Sequence, residues 1–243
     1  MPSPRFALFI DGGFFTKRLK NSITEETLFT PKHSETLIKH IRDYPTRLRN
    51  TPSNSQQINS LFKDCELYRC FYYDCPPSNK SLQRPISKQD FSLKQQPQYS
   101  FYTQFHEKLK QEPLVALRMG KLASQSDWRL DNPKEFAQRF IKSANEKQHF
   151  EITDNDFTVN LMQKGVDMRI GLDIASVVYK QLADTIILIS GDSDFIPAAK
   201  MARREGCRFF IDPMGQQLPS ELFEHIDGIV NCMLPFNRPF GSD

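Results

Sequence analysis

Aspartates set beside glycine are the residues in this sequence best suited to chemistry. Asp11 stands before Gly12-Gly13, directly after an apolar run at 5–10. Asp192 and Asp194 stand in Ser190-Gly191-Asp192-Ser193-Asp194-Phe195, directly after a second apolar run at 185–189. Asp167 closes Lys164-Gly165-Val166-Asp167, and Asp173 follows. Carboxylates gathered in one cleft repel one another. Two unit charges ~4 Å apart cost about 1 kcal/mol in water and about 4 kcal/mol at an effective dielectric of ~20. Several such pairs would take a large share of a domain's roughly 5–15 kcal/mol of stability. Protonation relieves one pair, whereas a bound hard cation relieves all of them. A ligand set of carboxylates, carbonyls and water, without His or Cys, favours Mg²⁺ or Mn²⁺. Such an ion activates water and stabilises the entering and leaving oxygens of phosphodiester cleavage.

These residues meet only if the elements that carry them are neighbours. The runs at 5–10 and 185–189 are short and almost wholly apolar, as buried parallel strands are. The pattern predicts further strands at 67–73, 114–119, 208–211 and 228–232. Helices are predicted at 14–20, 35–44, 101–110, 133–145, about 164–182, 196–205 and 218–225, with Pro45 and Pro52 ending the second and Gly206 stopping the sixth. Apolar strands alternating with helices specify a three-layer α/β/α sandwich with a mostly parallel central sheet. Ligands of such sheets bind beyond the C-terminal strand ends, at the topological switch point. If the two apolar runs are adjacent strands, Asp11, Asp192 and Asp194 converge there, and Asp167 can share that edge. The polar segment at about 78–100 is read as a loop or lid, and about 120–157 as an insertion. Residues 1–243 are read as one domain with both additions.

Each aspartate also has a purely structural role to weigh. Asp11 before two glycines can be a turn residue, and Asp194 or Ser193 can cap the helix that carries Pro197 in its first turn. Asp167 can simply complement a helix dipole. Asp173 shares a helical stripe with Ser176 and Lys180, as on a solvated face. Asp74, after the aromatic strand, reads as the start of a turn, with a smaller chance of lining the cleft. Joint placement at strand exits, rather than any one residue, carries the signal.

The 243 residues hold 39% hydrophobic residues, enough for a core, and 32 basic against 29 acidic residues give a net charge of +3. That balance excludes a polycation or an acidic tail, but not a local basic groove. No apolar run approaches the ~20 residues of a membrane span. Cys65, Cys70, Cys75, Cys207 and Cys232 lack zinc-site spacing and read as reduced thiols. With no export signal at the start, a cytoplasmic location is expected.

Phe9-Ile10-Asp11-Gly12-Gly13, Tyr72-Tyr73-Asp74, Lys164-Gly165-Val166-Asp167, Asp173 and Ser190-Gly191-Asp192-Ser193-Asp194-Phe195 together resemble the NYN domain, the LabA-like branch of the PIN-like nucleases. The blocks stand in the family's order across about 5–230. The resemblance implies a PIN-like sandwich, a Mg²⁺ or Mn²⁺ site and endoribonuclease activity on RNA, with DNA also open. By that similarity Asp11, Asp167, Asp192 and Asp194 form the catalytic and metal-binding cluster, with Asp173 as a further metal ligand. Ser190 would hold a phosphate or a metal-bound water. Lys164, with Lys17 and Arg18 after the first aspartate, would balance substrate charge. Similar proteins often form homodimers, so a homodimer is one assembly that the resemblance allows. Where many relatives carry an asparagine shortly after the first aspartate, this chain has Phe14 and Phe15.

Other site chemistries fit less well. A Gly-Asp-Ser hydrolase with Ser193 as nucleophile needs an aspartate–histidine partner, and His225 follows Glu221 and Glu224 instead. A dehalogenase-type phosphatase would want an aspartate at Gly13, and the glycine fingerprints of Rossmann and Walker sites are missing. The main rival is a module of this fold that binds RNA or a protein without cleaving anything, using basic residues such as Lys17, Arg18, Lys20, Arg169, Arg203 and Arg204.

Overall fold

A computed structural model describes residues 3–20, 28–50, 61–123 and 127–232. In chain order its elements are β1 (Arg5–Asp11), α1 (Gly12–Lys20), α2 (Pro31–Arg42), α3 (Tyr44–Asn50), β2 (Glu66–Asp74), β3 (Ser81–Gln83), β4 (Asp90–Ser92), α4 (Pro97–Gln111) and β5 (Val115–Met119). Then come β6 (Lys121–Leu122), β7 (Asp127–Leu130), α5 (Pro133–Asn145), β8 (Phe157–Asn160), β9 (Gln163–Lys164), α6 (Val166–Tyr179) and β10 (Thr185–Ile189). The chain continues through α7 (Ile196–Arg204), β11 (Arg208–Asp212), α8 (Ser220–Phe223) and β12 (Gly228–Ile229).

Six strands form one parallel sheet in the order β12-β11-β10-β1-β2-β5. The two apolar runs singled out in the sequence are its adjacent central strands, with Phe6 opposite Thr185 and Ile10 opposite Ile189. The chain leaves β1 toward β2 and β5, and later returns to β10 and proceeds the other way. The switch point therefore falls between β1 and β10.

Both faces of the sheet are covered, which explains why the central strands are apolar at nearly every position. Phe6, Leu8 and Ile10 pack with Phe15, Leu37 and Phe105 on one side. Ala7 and Phe9 pack with Ile170, Ile174 and Ala199 on the other. Each fully buried Leu, Ile or Phe contributes about 1.5–3 kcal/mol relative to exposure. The result is the α/β/α sandwich that the sequence pattern specified.

Several boundaries differ from the sequence expectation. The first helix starts at Gly12, directly on the strand, rather than at Phe14. A Cβ at position 12 would lie 2.4 Å from the Tyr73 carbonyl oxygen and 2.7 Å from the Tyr72 ring, so only glycine lets the helix begin this close to β2. The second helix starts at Pro31, capped by Thr30, and Pro45 sits in the first turn of α3, where its missing N–H costs nothing. The helix expected to reach 182 ends at Tyr179, and the one expected over 218–225 is only Ser220–Phe223. Gly206 adopts φ 82 after α7, as a helix-stopping glycine should.

The two additions fold as antiparallel ribbons. Within 78–100, β3 pairs with β4. In the second addition β7 pairs with β8 and β6 pairs with β9, so the excursion runs on to Lys164 and carries α5 at its far end. All five cysteines are buried, and none of them forms a disulfide. Among the described residues no helix is long and apolar enough to cross a membrane.

Candidate active site

The C-terminal ends of β2, β1 and β10 lie side by side, and each delivers an aspartate or leads directly to one. Asp11 is the last residue of β1 and stands opposite Tyr73, so Asp74 projects one residue further along β2. The loop after β10 carries Ser190, Asp192 and Asp194, and the first turn of α6 carries Asp167.

Asp11 is half-buried, and Asp167, Asp192 and Asp194 are exposed. Its Oδ1 accepts the Phe14 N–H at 3.1 Å. Burial first, and then the charges of Asp167 and Asp74, push the Asp11 carboxyl from the usual 3.8 up to about 6 against the opposing hydrogen bonds of the Phe14 and Gly13 backbone. Asp167 is exposed, yet its carboxyl is also held above the usual range, by desolvation first and then by Asp192 and Asp194. Through Asp167 the predicted residues Asp11, Asp192 and Asp194 belong to one field of negative charge.

Asp192 also shapes its own loop. Its Oδ1 accepts the Asp194 N–H at 3.0 Å and caps the 3₁₀ turn Ser193–Phe195. The helix that carries Pro197 has Phe195 at its N-cap with no side-chain cap, so neither Asp194 nor Ser193 takes the capping role that the sequence pattern offers them. Ser190 is buried, and its Oγ accepts the Asp192 N–H at 3.3 Å, so it braces the loop that presents the carboxylates.

Asp74 was expected mainly as a turn residue, and it lines the cleft. It is 6% exposed, its Oδ1 accepts the Cys75 N–H at 2.7 Å, and His106 Nε2 on α4 lies 3.0 Å from its Oδ2. The Gln163 amide nitrogen reaches the same carboxylate in a long 3.5 Å contact. The sequence carried one signal for Asp74: it ends a buried aromatic strand just as Asp11 ends β1. His106 and Gln163 had none, because their elements come from distant segments.

The remaining predicted residues divide. Asp173 is turned to other partners: Tyr73 Oη donates to its Oδ2 at 2.8 Å, and Arg118 Nε stands 3.2 Å from the same oxygen. Arg18 donates through Nε and Nη2 to the Met214 carbonyl at 3.3 and 2.8 Å, which ties α1 to the loop after β11. Lys17 and Lys164 are exposed, with Lys164 on the β6–β9 ribbon opposite Lys121. Asp212 is a further strand-end aspartate, but it is fully buried. It accepts hydrogen bonds from Tyr44 Oη, the Met214 N–H and the Cys232 N–H, so it serves the fold.

Among the described residues, no three His, Cys, Asp or Glu side chains converge closely enough to hold a metal ion as they stand. The donor set nevertheless fits a hard divalent cation in type and in charge. Its members are carboxylates, and the raised Asp11 and Asp167 carboxyls mark a place where positive charge would be stabilised. Rotation of exposed Asp167, Asp192 and Asp194 toward Asp11 is what such binding requires.

The model of the NYN domain family matches residues 89–217, more than half of the chain, and the chain belongs to that family. The matched stretch contains Asp167, Asp192 and Asp194, while Asp11 and Asp74 precede it. NYN domains belong to the PIN-like nuclease superfamily, whose members generally use divalent metals. A solved structure of a protein of unknown function from Vibrio parahaemolyticus is similar at 14% identity and a TM-score of 0.46, covering 94% of this chain and 92% of that one. No curated protein matches.

Proposed function

We propose that this NYN-family chain is a divalent-metal-dependent endoribonuclease that hydrolyses RNA phosphodiester bonds at the C-terminal edge of its sheet. The observation that carries this reading is the placement of Asp11 at the end of β1, next to Asp74 on β2 and the Asp192–Asp194 loop after β10, at the switch point where α/β sheets bind ligands. The raised carboxyl of Asp11 agrees with it.

Asp11, Asp167, Asp192 and Asp194 are the residues that would hold Mg²⁺ or Mn²⁺. Asp74 stands behind Asp11, fixed by His106. Asp173 is left out of this set because Tyr73 and Arg118 already engage it. When bound, such an ion supplies a nucleophilic water at neutral pH and a positive charge for the developing phosphorane. The chain supplies the rest. Asp11, held at the end of β1 by the Phe14 N–H, would orient the attacking water beside the ion. The loop 190–195 fixes the backbone of Asp192, whose N–H is held by Ser190 Oγ, and the exposed carboxylate would turn from the Asp194 N–H to meet an ion. Exposed Lys164 and Lys17 draw the RNA backbone toward a cleft that would otherwise repel it. Arg18 acts indirectly, by fixing the loop after β11. The LabA-like placement within the family is part of this proposal.

The test is Asp192→Asn with labelled single-stranded RNA and Mn²⁺ or Mg²⁺. Asparagine keeps an oxygen to cap Asp194, so the fold should hold while cleavage falls by at least about a hundredfold, the range for loss of a key charge-stabilising group. Mg²⁺ should also raise the melting temperature of the parent more than that of the variant. Equal cleavage by both proteins, each free of contaminating nuclease, would reject the assignment. RNA binding unaffected by EDTA, with no shortening of the strand, would favour the non-catalytic module.

A further inference from the structure

A cavity of about 530 Å³ opens beside the carboxylate cluster, and both additions to the core build its walls. Its floor is the sheet edge, with Gly13, Thr16 and Asp74. Its walls include the β3–β4 hairpin and the β7–β8 ribbon, two segments far apart in sequence that hold each other. Trp128 Nε1 donates to the Gln83 carbonyl at 2.8 Å. The Phe91 and Trp128 rings meet edge-on at 5.4 Å. Asp154 Oδ1 accepts the Ile86 N–H at 3.0 Å. The cavity is therefore a built feature of the two additions rather than a gap in the core.

Its chemistry is selective. Phe91, Tyr99, Tyr102 and Trp128 contribute aromatic surface, and the Arg84 guanidinium lies 4.8 Å over the Phe91 ring. Gln96, Asn155 and Gln163 also line the space. Asp74 and Asp154 line it too, which disfavours a phosphate inside. Stacking surfaces with amide donors and acceptors, and no net attraction for anions, suit a planar heterocycle with hydrogen-bonding edges. The volume falls within the range of small-ligand pockets. A base inside a duplex cannot enter a pocket walled on both sides, whereas an unpaired base can be splayed out and stacked.

We infer that this cavity takes one unpaired nucleobase of the RNA, so that the two additions select single-stranded substrate and set base preference next to the cleaved phosphate. The inference rests on the nuclease reading for the position of the phosphate, and on the cavity alone for the base.

Trp128 is the only tryptophan of the chain, so its fluorescence reports on this cavity without any need for catalysis. The experiment titrates the full chain, in EDTA, with each of the four nucleoside 5′-monophosphates and with ribose 5-phosphate. Saturable quenching by nucleotides, with at least one base favoured and ribose 5-phosphate silent, is the expected result. Tyr99→Ala should weaken the nucleotide about tenfold or more, and Tyr99→Phe should restore it. In cleavage assays Tyr99→Ala should raise KM and blur base preference while kcat changes little. No saturable quenching, or equal quenching by ribose 5-phosphate, overturns the base pocket, and the parent protein alone decides this if Tyr99→Ala does not fold. Asp192→Asn separates the two readings, because it should lose cleavage and keep the quenching. Cleavage without quenching removes the pocket and leaves the nuclease, and quenching without cleavage does the reverse.

Discussion

Replacing Asp11 by asparagine should make the metal-free protein more stable at neutral pH. The substitution keeps the shape and an oxygen to accept the Phe14 N–H, and it deletes the charge. In the folded chain the Asp11 carboxyl sits at about 6 against its ordinary 3.8. At roughly 1.4 kcal/mol per pH unit, that rise corresponds to at most about 3 kcal/mol of destabilisation once the group is ionised. Water around exposed Asp167 and Asp192 screens part of it, so about 1.5–3 kcal/mol is the working range. The sign follows from the direction of the shift. Below 3.8 the carboxyl is protonated in both the folded and unfolded chain, and the parent carries no penalty. As pH rises through the window from 3.8 to about 6, the unfolded chain ionises first, and the parent loses stability relative to the variant until the folded carboxyl is also ionised. The assay is a series of thermal melts in EDTA from pH 4 to pH 8. Since 1 kcal/mol moves the midpoint of a chain this size by about 2–4 °C, the variant should melt roughly 3–12 °C above the parent at pH 8 and level with it at pH 4. Saturating Mg²⁺ should narrow or reverse the gap, because only the parent offers the full set of carboxylates. A gap that ignores pH, or a variant less stable than the parent at pH 8 without metal, would refute the idea that Asp11 is a buried charge awaiting a cation.

The other expectations are simpler. Gly12→Ala should destabilise the fold by about 1–3 kcal/mol or more, because its Cβ would fall 2.4 Å from the Tyr73 carbonyl oxygen. Urea unfolding should show a lower midpoint at unchanged slope. Lys164→Ala should weaken RNA binding similarly across sequences and reduce the magnitude of the salt-dependence slope by about one. Filter binding at several salt concentrations checks this, and an unchanged slope would place Lys164 outside the RNA path. Asp173→Asn should leave the Mg²⁺-induced rise in melting temperature intact, since Asp173 is bonded to Tyr73 and Arg118. Loss of that rise would return Asp173 to the ligand set.

Much of the core was legible in the sequence because a strand buried on both faces has no room for polar side chains. The runs ending at Asp11 and Asp192 therefore announced both themselves and the point where polarity returns. Local punctuation was less reliable. Pro45 reads as a stop, and α2 does end at Arg42, but Pro45 also sits in the first turn of α3, because proline is tolerated where the N–H has no partner anyway, while Pro52 lies outside the described residues. Gly12 reads as part of a turn, whereas its value lies in the close approach of β2, a segment far along the chain.

What the residues alone determined was the layered class of the fold and the candidate carboxylates at strand exits, since both follow from which side chains water will accept. Whether those carboxylates share one field depended on strand order. Placing β2 and β10 on either side of β1 brought Asp74 beside Asp11 and the Asp192 loop to the same sheet edge, left Asp173 to Arg118, and gave Asp212 to the core. Only the tertiary structure joined the hairpin at 81–92 to the ribbon at 127–160. Their contacts lie between segments with no common periodicity, and charge repulsion and ring stacking act through space rather than along the chain.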